Sequence, residues 1–265
     1  MRSILTADFY KLIRSKAFWI CAAVGIVVAI LMVVALNADI ARSLARGANS
    51  RGYAQAQAMQ AAASAVWAIP QFLSQSFIVL LAGIFSAIFI TAEFSDGTIK
   101  NTLSRGAERI SVFASKFVTC TVASLFIFIT SIAALLVAGS IVWGFDPQGA
   151  ATAGGFAGMI ALQALLMVGF AALFTFLGET IRSTGGAIAT AIIATMMVST
   201  LLGALNALFN TTIDLTQYWL GGAVSTLATT SPAASDVVRG VVVAVVWGVV
   251  SLVLGGWLFR KRDVK

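Results

Sequence analysis

The residues best suited to chemistry lie in one charged interruption of an otherwise apolar chain, the segment EFSDGTIKNTLSRGAERISVFASK from Glu93 to Lys116. It reads as a short polar loop held against the membrane, and its patterning suggests a docking element for a soluble partner. Other chemistry is poorly supplied. The chain has no histidine, so zinc hydrolysis, haem ligation and Ser-His-Asp catalysis lack their usual groups. Cys21 and Cys120 both fall inside apolar stretches and read as small packing residues rather than a disulfide or metal pair. There is no GxxxxGK[ST] phosphate loop, so any work done here draws its energy from another chain. No catalytic residue and no metal ligand is assigned.

The elements that hold this segment are set by composition. Of the 265 residues 60% are hydrophobic and 10% charged, with a mean hydropathy of +0.98. That excludes an ordinary water-soluble domain. A helix needs about 20 apolar residues to cross roughly 30 Å of hydrocarbon. Six stretches qualify: Phe18–Leu36, Gln71–Ala92, Phe117–Trp143, Phe156–Leu177, Ala187–Phe209 and Val237–Phe259. The first has too long a charged leader, and no convincing cleavage site after it, to be a signal peptide, so it is read as a retained span. The expected fold is an all-α, six-span membrane protein, one domain over residues 1–265.

Basic residues orient it. With the N-terminus in the cytoplasm, the inside segments hold Arg2, Lys11, Arg14, Lys16, Lys100, Arg105, Arg109, Lys116, Arg182, Arg260, Lys261, Arg262 and Lys265. The outside holds only Arg42, Arg46, Arg51 and Arg239, which completes the 17 basic residues. Both termini are then cytoplasmic. The net charge of +7 hugs the span ends, which favours anionic lipid over nucleic acid as its partner.

Residues 1–17 read as an interfacial amphipathic helix, with Leu5, Phe9, Leu12 and Ile13 on one face and Lys11 and Arg14 opposite. Asn37 to Ile69 reads as an external helical hairpin that ends where Pro70 opens the second span. Between spans four and five, Gly185 and Gly186 form a candidate hinge. Residues 210–236 are long, weakly polar and nearly uncharged, with Tyr218-Trp219 and Gly221-Gly222. They suit short external or re-entrant helices before span six. No charge falls in the middle third of any span, which weighs against an ion-driven transporter. Gly240, Ala244 and Gly248 make a small-residue stripe on span six, and Gly83 and Ala87 another on span two.

Within the loop, Ser95 or Asp96 can cap a short helix that carries Ile99 and Leu103 on one face and stops at Gly106. A second amphipathic run starts at Glu108 and aligns Ile110, Phe113 and Phe117. Here Glu93-Phe94, Gly97-Thr98-Ile99-Lys100, Leu103, Arg105-Gly106, Arg109 and Lys116 together resemble the signature of ABC type-2 exporter permeases, most closely the bacterial branch of bacitracin, lantibiotic and multidrug export. The chain departs from it in having Arg105-Gly106-Ala107-Glu108-Arg109 where many relatives place a proline before the arginine.

The resemblance implies a cytoplasmic coupling helix within residues 94–112, after span two. The ATPase contact would be made by Asp96, Gly97, Thr98, Ile99, Lys100, Leu103 and Arg105, with Glu93, Arg109 and Lys116 as loop anchors. It also implies two ATP-binding cassette subunits that carry ATP and Mg, so this subunit would not itself be an enzyme. A second permease, identical or related, would complete the assembly in a bacterial cytoplasmic membrane. The cargo would be an antimicrobial peptide, a hydrophobic drug or a lipid-like molecule. The competing expectation is a membrane scaffold or sensory subunit that recruits a soluble partner through the same loop and transports nothing.

Overall fold

The computed structural model describes residues 2–47, 52–97, 108–145, 153–209, 214–229 and 231–261, and all regular structure among them is helical. In chain order the helices are α1 (Arg2–Arg14), α2 (Lys16–Ala45), α3 (Tyr53–Ala62), α4 (Ala65–Ser74), α5 (Phe77–Ser95), α6 (Arg109–Trp143), α7 (Ala153–Ile181), α8 (Thr184–Phe209), α9 (Leu220–Thr226) and α10 (Ala234–Lys261). Six of these, α2, α5, α6, α7, α8 and α10, are long and apolar enough to cross a membrane.

Helices α5, α6 and α7 touch one another at the centre, while α2 packs on α6, α8 on α5 and α10 on α7. The apolar stretch of α5 is 61% buried and that of α7 56%, against 17% for α8. Close approach at the centre depends on missing side chains: a Cβ on Gly83 of α5 would lie 2.9 Å from the Phe174 ring and 3.1 Å from Ala191. The outward face of α8 leaves Met197, Leu201 and Leu208 exposed, which suits surrounding hydrocarbon. A π-helical turn interrupts α8 over Ile193–Met197. There Thr195 donates its hydroxyl to the Ala191 carbonyl at 2.8 Å and competes with the regular ladder.

The small-residue stripe of span six is consumed inside the chain. Gly240 lies under Leu227, and Gly169 of α7 meets Ala244, with Gly248 close beyond it.

Pro70 does not open the second span. It lies within α4, and the chain breaks after it, at Gln75 and at Ser76 with φ 56°, before α5 starts at Phe77. Tertiary contacts override the helix-breaking tendency of proline. The first amides of α4 donate to carbonyls at the end of α6, Ala65 to Gly144 at 3.0 Å and Val66 to Phe145 at 3.3 Å. Ser64 caps the same turn by accepting from the Trp67 amide at 3.0 Å. Val66, Ile69, Phe72 and Leu73 are all buried. α9 is equally enclosed, with Leu220 through Val224 buried and the Val224 carbonyl accepting from Gln163 Nε2 at 2.9 Å. Of residues 210–236, then, the described core is a buried helix rather than one lying on the surface.

Candidate functional site

The ends of several helices converge on one buried cluster. α1 docks along the start of α6, with Leu12 and Asp8 of α1 each only 3% exposed. α1 ends at Arg14, and Ser15 caps α2 by accepting from the Phe18 amide. Asp8 faces inward because it shares a helix face with Leu5, Phe9 and Leu12, one turn apart. Ile13, expected on that face, is 62% exposed.

Lys116 is the centre of the cluster. Its ammonium donates to Asp8 Oδ1 at 2.7 Å and to Glu93 Oε1 at 2.5 Å. Its side chain is 2% exposed, against 4% for Asp8 and 11% for Glu93. The neighbouring Ser115 hydroxyl donates to the other Asp8 oxygen at 2.6 Å, and Lys11 reaches Glu93 Oε1 at 2.7 Å. The Phe89 ring lies 5.1 Å from the Lys116 nitrogen and closes that side. Burying charges at this depth is tolerable because two cations face two anions and bonds serve both carboxylates. Lys116 thus ties the end of α5, the start of α6 and α1 into one unit.

Glu179, at the end of α7, borders this cluster. It is 4% exposed, and neither carboxyl oxygen has a hydrogen-bond partner among the described residues. Nearby, Thr91 of α5 and Thr184 of α8 share a hydrogen bond of 2.8 Å, and the Arg182 guanidinium lies 5.2 Å from the centre of the Phe94 ring. Among the described residues no group of three or more His, Cys, Asp or Glu is arranged to hold a metal ion.

The expected site residues divide in several ways. Glu93 and Lys116 meet directly. Arg109 donates to the Arg260 carbonyl at 3.2 Å, at the end of α10. The short helix expected after Ser95 and Asp96 falls outside the described residues. Ser95 closes α5 and Asp96 is its C-cap, with Gly97 next at φ 66°, in the left-handed region where glycine ends helices. Thr98, Ile99, Lys100, Leu103 and Arg105 lie outside the described residues. In the run after Glu108, Phe113 packs with Val112 and Phe259, but Ile110 is 50% exposed. At the candidate hinge the positive φ, 57°, falls on Arg182, and Gly185 and Gly186 sit in the first turn of α8.

Asp8 and Ser115 are members that the linear pattern did not announce. An acidic residue on the apolar face of a leader helix is a usable signal, since it must find a buried cation.

A family model described as "Protein of unknown function (DUF2705)" matches residues 26–265. The chain belongs to the DUF2705 family. The matched region of this DUF2705 protein contains Glu93, Lys116 and Glu179, while α1 with Asp8 and Lys11 precedes it. No curated protein matches the chain.

Proposed function

We propose that this chain is the permease subunit of an ATP-driven exporter of the ABC type-2 kind, with the segment between α5 and α6 as its docking element for an ATPase. The carrying observation is the Lys116 junction. Asp8, Glu93 and Lys116 fuse both flanks of that segment to α1 through buried bonds of 2.5 and 2.7 Å. A push on the intervening residues would therefore reach α5 and α6 together rather than bend a slack loop.

In this reading both termini and the loop face the cytoplasm of a bacterial cell, and α1 lies along the membrane surface with Tyr10 and Ile13, both exposed, toward lipid. Two ATP-binding cassette subunits supply ATP and Mg chemistry, and a second permease, identical or related, completes the assembly. Nucleotide-driven closure of the ATPases moves the loop, and the central α5–α6–α7 unit shifts against α2, α8 and α10. The cargo is amphipathic or hydrophobic, because the spans offer neutral hydroxyls such as Ser124 and Ser131 at mid-depth rather than charge.

Affinity purification in mild detergent, followed by ATPase assay of the intact protein and of Gly97→Pro, tests the reading. Proline cannot adopt the φ of 66° at this position, so the variant should lose the ATPase or its coupled turnover. A Gly97→Pro complex with normal composition and coupled activity contradicts the docking role. Copurification of a non-ATPase partner would favour the scaffold reading.

A further inference from the structure

We propose that Glu179 is a proton-binding site whose proton is released when α1 undocks, so that Glu179 and Asp8 exchange places as the anion facing Lys116. The proposal rests on the geometry of the charged cluster and does not require the exporter reading.

Every other acid in the cluster has its donors. Asp8 takes Ser115 and Lys116, and Glu93 takes Lys11 and Lys116. Glu179 is equally buried yet has no donor on either oxygen among the described residues. A carboxylate in that position costs several kcal/mol, whereas a carboxylic acid carries no charge to solvate. No cation among the described residues donates a hydrogen bond to it. Lys116 of α6, Glu93 of α5, Asp8 of α1 and Arg182 on its own turn act on it electrostatically, as it does on the Cys120 thiol of α6. The first turn of α8 carries no charged residue, and Arg260 and Lys261 of α10 are exposed. Lys116 and Lys11 already balance Asp8 and Glu93, while Arg182 lies over Phe94.

The same ammonium makes the site a switch. Lys116 has three N–H donors and makes two hydrogen bonds, to Asp8 and Glu93. When α1 lifts away, Asp8 leaves as a carboxylate and is solvated by water. The O–H bond of Glu179 then breaks, its proton passes to water, and the carboxylate left behind accepts from Lys116. Lys11 leaves with Asp8 on the same helix, and Glu93 and the newly charged Glu179 then stand beside Lys116 and Arg182. The docked state therefore binds one more proton than the undocked state. Docking is favoured in acid and weakens as pH rises, by up to about tenfold per pH unit while Glu179 is protonated only in the docked state.

The test uses the full chain in lipid nanodiscs. A Leu12→Cys thiol, covered when α1 is docked, reports undocking through its rate of reaction with a bulky maleimide. The ordinary pH dependence of the thiol divides out when the rate is compared with that of Leu12→Cys combined with Glu179→Gln. The ratio of the two rates should rise severalfold or more from mildly acidic to mildly alkaline buffer. A ratio that does not change with pH overturns the proposal. Infrared spectroscopy of the unmutated protein covers the case in which Glu179→Gln fails to fold. A carboxylic-acid carbonyl band should fade as pH rises, and its absence at every pH in that range equally overturns the assignment.

Discussion

The two ends of the helical bundle are held together by opposite means. At one end α1, α5, α6 and α7 meet around Lys116, Asp8, Glu93 and Glu179, and buried charge fixes the geometry. At the other, α4 and α9 are sealed by backbone contact. Gly139 lets α6 run against the backbone of Ala65, where an added Cβ would come within 2.9 Å of its Cα, and Gly222 sits against the Thr216 carbonyl. Charges at this second end are less buried: Arg42 and Asp39 are 71% and 73% exposed, Arg239 and Asp236 each 30%, and Asp214 is served by Asn206 and Thr216 in the open. A buried ion cluster can be rearranged by moving one proton or one cation, whereas close backbone packing cannot. The charged end is accordingly the place to look for switching, and the opposite end for rigidity.

Removing the central cation should break the contrast most severely. Lys116→Ala strands Asp8 and Glu93 without their buried partner and should cost about 3–5 kcal/mol. The expected readout is a large fall in thermal midpoint in detergent, with α1 newly open to protease while the α4–α9 region stays protected. Gly222→Ala attacks the opposite end. Its methyl group meets a carbonyl rather than a flexible side chain, and the overpacking should cost about 1–3 kcal/mol. Its thermal midpoint should fall less, and α1 should remain docked. Equal loosening of both ends by either variant would show that they are not separate units.

Arg42→Ala sharpens the comparison from below. The Arg42–Asp39 pair, 3.3 Å apart and exposed, should contribute about 0–1 kcal/mol, so a thermal midpoint within error of the unmutated protein is expected. The smallest effect concerns acid. The Thr216 hydroxyl and amide, foremost among its bonds, hold Asp214 below the ordinary carboxylate range. The 3-10 turn Leu215–Tyr218 keeps that support at every pH above the ordinary Asp value and loses it only as pH falls through the lowered one. Tyr218 fluorescence is masked by tryptophan, so the carboxyl carbon of Asp214 followed by NMR is the suitable probe. A midpoint at or above the ordinary Asp value would contradict this account.

Much of the bundle was legible along the chain because hydropathy over about 20 residues is a local quantity. Five of the six expected stretches lie inside helices, with boundaries up to nine residues away. The second was misjudged at Pro70, since α4 is helical through contacts with α6 that no local rule contains. In the charged cluster, Glu93 and Lys116 were recognisable from their place beside the loop. Asp8 was harder to read, as it is 108 residues from Lys116. Glu179 was visible only as a residue near a span end, because the lack of a donor is a property of its surroundings.

Composition and apolar run length alone determined that this is a helical chain with six helices long and apolar enough to cross a membrane, for an unpaired backbone cannot cross hydrocarbon in any looser form. Which carboxyl meets which ammonium, which small-residue stripe is filled from within and where the second span breaks were decided only by tertiary structure. Those outcomes depend on groups distant in sequence meeting at 2.5–3.3 Å, and burial then decides whether such a meeting is a lock or an incidental contact.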